Sequence, residues 1–257
     1  MDRLIYSALD GVSEFALPRM QLNNEIANMS TTGFKRSFKG ASAAVKISGP
    51  GFDTRFKPTG DAKERISLAQ GPVMFTGNNT DIAMNNNTVL GVVGANDELA
   101  YTRRGDLKVN STGLLETGSG QAVRGENGPI AVPAGYQMNI THDGSIYAIN
   151  PTEPSNAPPV LVGRLMLRDA GETHLERRAD GLFEPLGARA GPPRAREITN
   201  GKQPPSVTPQ SLEGSNVSAY ESMVRLLEMN RSFEANLKSI KEAKDMDVSG
   251  ATMLKVA

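Results

Sequence analysis

The residues able to do chemistry are few and scattered. There are two histidines, His142 and His174, and no cysteine. A structural or catalytic zinc site needs three or four nitrogen or sulfur ligands at close, regular spacing. Neither histidine has that company, and HExxH is absent, so the chain offers no transition-metal ligand set. His142 reads as a surface residue of the turn at Asp143-Gly144. No GxSxG nucleophile elbow occurs, Gly118-Ser119-Gly120 reads as a hairpin turn, and there is no phosphate-cradling Walker loop. Carboxylates remain. Asp81, Asp97, Asp106, Glu116, Glu126 and Asp143 all fall in or near turn signals, where a solvated side chain is the default. Two of them placed together could still act as acid and base on a glycan, so a peptidoglycan-acting enzyme stands as an alternative.

Binding chemistry is equally sparse. Lys35-Arg36, Arg103-Arg104 and Arg177-Arg178 are pairs rather than patches, without flanking stacking aromatics, and read as solvated surface. Asn78, Asn79 and Asn85 to Asn87 suggest a polar, turn-rich loop lacking the acidic spacing that calcium requires. Lysine plus arginine and aspartate plus glutamate both total 28, so no net field favours nucleic acid or an anionic membrane. No apolar run approaches the ~20 residues that span a bilayer. The composition therefore predicts no catalytic site, cofactor, metal, nucleic-acid partner or membrane insertion. The opening twenty residues lack a basic stretch followed by a continuous apolar run, so a cleaved signal peptide is not expected.

The patterned elements lie at the two ends. From Leu212 to Lys244 the chain has no proline, and glycine only at Gly214. Met223, Leu226, Phe233, Leu237 and Ile240 recur at steps of three and four, with Asn230 filling the one gap. That is the seam of a helix packed along another helix, where a polar residue can set register. Ser218 with Glu221 fits a capping box, and Asn216 is a competing N-cap. Ile5, Ala8, Val12, Phe15, Leu22, Ile26 and Met29 form a matching stripe over residues 2–29, about 40 Å if fully helical. Pro18 should kink or break it. Asn28-Met29-Ser30-Thr31-Thr32-Gly33 is a stop signal.

Between the ends the chain reads as β. Residues 33–70 form a mostly extended connector, with a short strand possible at Val45 to Ile47, or else a tether in the free subunit. From 71 to 197 short apolar runs alternate with turn signals every eight to twelve residues, including Asp143-Gly144, a type I′ hairpin signal, and Asp180-Gly181. Residues 187–210 are rich in proline and glycine, and 198–211 read as an extended return path. The expected fold is α+β: an all-β central domain (71–197), a sandwich or small barrel, inserted between an N-terminal helix (1–32) and a C-terminal helix and tail (212–257) that pair in a coiled-coil-like core.

Three sets of residues in the correct order resemble the flagellar rod and hook proteins. The first is Asn23 to Asn28, Ser30-Thr31 and Gly33-Phe34-Lys35. The second is Tyr101-Thr102-Arg103, Gly105 and Leu107, with Gly113, Leu115 and Thr117 and then Val123 to Pro133 following. The third is Glu213-Gly214-Ser215-Asn216-Val217, then Arg231, Phe233, Glu234, Asn236, Lys238 and Ile240. Met1-Asp2, Ile5-Tyr6, Val162 to Leu165 and Asp180 to Phe183 favour a proximal rod type over a distal rod or hook type. Departures are Glu25 and Asn23 in place of asparagine and alanine, and Asn85 to Leu90 in place of EGDGFF.

The resemblance implies a structural subunit without a catalytic site. Such a subunit assembles helically with copies of itself and other rod subunits into a torque-transmitting tube across the periplasm. It leaves the cell through the flagellar type III export apparatus without a cleaved leader. Phe34 and Phe38 are spaced like an export-gate motif, or serve packing. A secreted β-rich binding module with helical ends is the reading from another class.

Overall fold

A computed structural model describes residues 11–12, 15–39, 43–46, 56–59, 64–94, 97–151, 158–186 and 197–255. Ile5, Ala8 and Ile47 lie outside them. The chain divides into two compact units. One gathers residues 1–27, 39–62 and 218–257, and the other gathers 28–38 and 63–217.

Among the described residues, the first unit contains two long helices, α1 (Ala16–Ala27) and α2 (Ala219–Lys255). Pro18 falls in the first turn of α1, where its missing N–H has no intrahelical partner to lose. The interruption lies just ahead of it: Gly11 and Val12 are helical, and Phe15 N–H bonds the Val12 carbonyl at 3.3 Å in a turn before α1 begins. The helix stops at Ala27, as the Asn28 to Gly33 signal predicts.

At the other end, Ser218 rather than Asn216 is the N-cap. Its Oγ accepts from Glu221 N–H at 3.5 Å, and its carbonyl accepts from Ser222 N–H at 3.0 Å. The helix then runs 37 residues, roughly 55 Å at 1.5 Å per residue. Phe15 and Phe233 meet edge to face, centroids 6.2 Å apart. A strand pair, Ala43–Lys46 with Phe56–Thr59, belongs to this unit; it lies in the connector and includes the strand expected near Val45.

The described elements of the second unit are strands joined by turns. An inner strand of its largest sheet, Thr88–Val93, reads TVLGVV. Such a continuous apolar run suits a strand covered on both faces. Leu90 and Val92 point into the larger apolar cluster with Ile82, Met84, Leu115, Ile146 and Leu165. Val89 points the other way, to Tyr101, Leu175, Phe183 and Ile198. The sheet order is Leu167–Asp169, Thr88–Val93, Leu99–Thr102, Phe183–Pro185, Leu175–Arg177, all antiparallel. A three-stranded sheet (Gln137–Ile140, Ser145–Ile149, Val160–Arg164) and several two-stranded pairs complete it. The described sheets are open, with no strand order closing on itself, so the small barrel gives way to α+β with a mostly β middle.

Two turn readings are refined. The Thr141–Ser145 hairpin has positive φ at Gly144 but not at Asp143, so it is not type I′. Gly144 N–H bonds Thr141, and Thr141 N–H bonds Ser145, making a longer loop closed by a left-handed glycine. The return path is also woven in: Val207–Pro209 pairs with Ile82–Met84, and Ser211–Glu213 with Val73–Phe75.

Tyr101 ties the return path to the smaller cluster. It is fully buried, and its hydroxyl accepts from Ile198 N–H at 3.0 Å. Tyr101→Phe strands that buried donor and should cost about 1–3 kcal/mol. Urea denaturation, with faster exchange of the Ile198 amide, is the check.

Candidate functional site: a buried charge junction

Lys35 and Arg103, expected on the surface, are buried with their side chains at 0% exposure, and both meet Glu213, also at 0%. Lys35 Nζ lies 2.5 Å from Glu213 Oε1 across 178 residues of sequence. Arg103 Nε donates to Oε2 at 2.8 Å. Gly71 N–H donates to Oε1 at 2.9 Å. Both cations also donate to backbone carbonyls. Lys35 Nζ donates to the Ala69 carbonyl at 2.8 Å. Arg103 donates to the carbonyls of Asn86 at 2.5 Å and Met84 at 2.8 Å.

Backbone geometry sets up this meeting. Segments 33–36 and 213–216 run side by side. Gly33 N–H bonds the Glu213 carbonyl at 2.8 Å, and Asn216 N–H bonds Phe34 at 3.3 Å. Arg36 N–H bonds Asn216 Oδ1 at 2.7 Å. Asn216 Nδ2 donates on to the carbonyls of Ser67 and Ala69, so it stitches three segments instead of capping a helix. Gly33 holds φ at +69°, and a Cβ there would stand 2.4 Å from the Arg103 carbonyl oxygen. Only glycine fits both demands. Gly105, two residues past Arg103, is as constrained: a Cβ would lie 1.7 Å from the Ile82 carbonyl.

Two cations share one carboxylate, leaving a formal surplus of one positive charge inside. Burial, reinforced by the Arg103 charge, pulls the Lys35 ammonium down to about 8, while Glu213 holds it up through charge and hydrogen bond. The other basic pair is likewise not solvated. Arg177 lies over the Phe34 ring at 4.2 Å and donates to the Lys35 carbonyl. Arg178 pairs with Glu98, Asp180 and Glu184. Arg36 stands 5.4 Å from the Phe38 ring, and Phe38 is half exposed.

Of the six carboxylates first considered for catalysis, Asp97 is exposed and the other five have structural partners. Asp81 is buried and accepts from Thr76 and Asn78. Asp106 receives a two-pronged bond from Arg104, which raises the guanidinium's pKa further. Hydrogen bonds from Thr141 and Ser145 hold Asp143 down near 2. Glu116 accepts from Asn110, and Glu126 faces Arg168 at 3.7 Å. His142 is exposed, with Nδ1 2.8 Å from the Val207 carbonyl. Among the described residues, no three His, Asp or Glu side chains cluster as a metal site.

The helical positions divide by exposure. Leu22 is buried, Val12, Phe15, Ile26 and Asn28 are half-buried, and Met29 is exposed. Gly33 and Val217 are buried, and Phe34 and Asn216 half-buried. On α2, Leu226, Phe233 and Ile240 are half-buried, whereas Met223, Asn230 and Leu237 are exposed. The other sheltered positions are Ser222, Met229, Asn236 and Ala243, the first three each one residue before an exposed member of the stripe. Val12, Phe15, Ala16, Arg19, Leu226, Met229, Asn230 and Phe233 line an open hollow of about 200 Å³.

Relatives now place this architecture. Residues 83–148 match the family described as flagellar hook protein FlgE/F/G D1 domain, and residues 208–253 match flagellar basal body rod FlgEFG protein C-terminal. The flagellar basal-body rod protein FlgF of Escherichia coli (strain K12) is 34% identical over 249 residues, covering 95% of each chain. FlgF of Salmonella typhimurium (strain LT2) is 36% identical over 244 residues, covering 93% of each. A FlgG from Buchnera aphidicola subsp. Acyrthosiphon pisum is 29% identical, covering 91% of this chain and 95% of the relative.

The chain belongs to the flagellar basal-body rod protein family. It is a structural subunit of the flagellar rod, not an enzyme. The junction therefore joins the three rod-protein motifs in space: Gly33-Phe34-Lys35, Tyr101-Thr102-Arg103 and Glu213 to Val217. Sequence reading found Gly33, Phe34, Asn216 and Val217 but missed Lys35, Arg103 and Glu213. The available signal was a charged residue inside each of three motifs, in a two-to-one ratio of opposite sign.

Removing Glu213 leaves two buried cations without a counter-ion, whereas removing Lys35 leaves a neutral pair. Glu213→Gln should cost about 3–5 kcal/mol or more, and Lys35→Met clearly less, by urea denaturation at pH 7. The pH dependence has an unusual sign. Below pH 8 Lys35 is protonated folded and unfolded, and the cost of its charge is fully present. Between about 8 and 10.5 the unfolded chain binds the extra proton, so stability rises with pH. Relative to Lys35→Met, the wild type should gain up to about 3 kcal/mol across that window. A flat difference between the two proteins would refute the assignment.

Proposed function

We propose that this chain is a subunit of the proximal rod, assembling helically with copies of itself and with other rod subunits through α1 and α2. The carrying observation is a second apolar face on α2. Tyr220, Met223, Val224 and Leu227 are 83%, 57%, 53% and 58% exposed. At about 100° per residue they lie nearly opposite the sheltered stripe of Ser222, Met229, Phe233 and Asn236. A helix with two apolar faces has one more than a single partner helix covers. Leu17 and Met20 add exposed apolar surface on α1, at 60% and 67%.

In this reading α1 and α2 pair in coiled-coil fashion along Leu226, Phe233 and Ile240, with Val12, Phe15, Leu22 and Ile26 opposite. Residues 1–32 and 212–257 serve as assembly arms that flank the β domain of 71–197 in sequence, with 33–70 as connector and 198–211 as return path. The outward strip packs against a neighbouring subunit, and the open hollow receives another. Unlike surfaces that complete each other build an open helical stack. Each large side chain taken fully out of water contributes roughly 1.5–3 kcal/mol. The resulting tube carries torque across the periplasm and encloses the export channel, and the subunit reaches it through the flagellar export apparatus. The near full-length match to two FlgF proteins supports the proximal type.

Leu227→Asp changes only the outward strip. The isolated subunit should keep its far-UV circular dichroism and lose less than about 0.5 kcal/mol. Swarming should disappear, and the chain should be missing from isolated basal bodies. Normal motility with full incorporation would sink the strip's role.

A further inference from the structure

We infer that Glu213 is a latch that makes docking of segment 33–36 and segment 211–216 a single cooperative event. Nothing in the proposed rod function requires this, and it does not rest on that function. The β unit contains residues 28–38 and 63–217, so these two segments lie where the chain enters and leaves it. Each supplies what the other lacks. Lys35 brings a buried ammonium whose nearest carboxylate is Glu213. Glu213 brings a fully buried carboxylate with two cationic partners, one on each of two other segments.

The backbone repeats the dependence. The Gly33 donor, the Phe34 acceptor and the Arg36 donor all find partners between Glu213 and Asn216. Withdrawing either segment leaves buried charge and several buried polar groups on the other without partners. A half-docked state is therefore far less stable than either end state. Segment 67–71 is held by the same groups, through Gly71, Ala69 and Ser67.

The test is hydrogen–deuterium exchange on the full chain, comparing wild type, Lys35→Met and Asn216→Ala. The two variants lie on opposite segments, and neither leaves an orphaned buried charge pair. Lys35→Met should speed exchange at Gly214 and Asn216 at least tenfold. Asn216→Ala should do the same at Gly33, whose acceptor is the Glu213 carbonyl and not the deleted side chain. Because the segments open together, within each variant the amides of both segments should speed by the same factor. The amides of Thr88–Val93 should keep wild-type protection in both. Faster exchange confined to the mutated segment would overturn the latch, as would a uniform loss of protection through Thr88–Val93. Failure of the rod reading would appear in motility and leave these exchange patterns untouched.

Discussion

One carboxylate holds together segments far apart in the chain. Glu213 sits under two cations with no access to water, and its partners come from residues 35, 71 and 103. A buried ion pair is weak as a source of net stability, because desolvation consumes most of the attraction. What it supplies is uniqueness. This arrangement of 33–36, 67–71, 101–103 and 211–216 brings both cations to the one carboxylate. Alternatives that slide one segment along another leave charge in an apolar interior. The glycines at 33 and 105 let backbone come close enough for that arrangement to form.

The junction also accounts for how little of the β unit is ordinary core at this point. Elsewhere the unit is held by two apolar clusters on either side of Thr88–Val93, with Leu and Ile side chains doing the work of burial. Here charge and backbone hydrogen bonds replace them. The helical unit follows a third principle. Its helices shelter one stripe and leave another exposed, so its energetics are incomplete in the single subunit. Ordered charge in one unit and unspent apolar surface in the other suit a protein that is fixed internally and completed externally.

Local features were legible in the sequence because they are set by neighbours in the chain. The Ser218 cap, the stop after Ala27, the Asp180-Gly181 turn and the strand near Val45 all depend on a few consecutive residues. Pro18 was half legible: its consequence hinges on whether it falls in a first turn or an interior one, which is fixed by where the helix starts. The α2 seam was legible in period and ambiguous in phase. Met223, Asn230 and Leu237 are exposed in the single subunit, each beside a more sheltered residue, Ser222, Met229 or Asn236, so hydrophobicity alone does not tell which stripe packs within the subunit. Lys35 and Arg103 were misread for a different reason. A charged pair in sequence looks solvated until its counter-ion is found, and theirs lies 178 and 110 residues away. The resemblance to rod proteins marked the right motifs without saying that they touch.

The order of residues along the chain gives the junction a direction in time. Lys35 and Arg103 emerge from the ribosome long before Glu213, which belongs to the last fifth of the sequence. Until it arrives, the ammonium of Lys35 and the guanidinium of Arg103 lack the carboxylate that receives them in the finished fold. Burying both without it costs about 3–5 kcal/mol or more, so closing this part of the β unit is favoured once the last fifth of the chain is present.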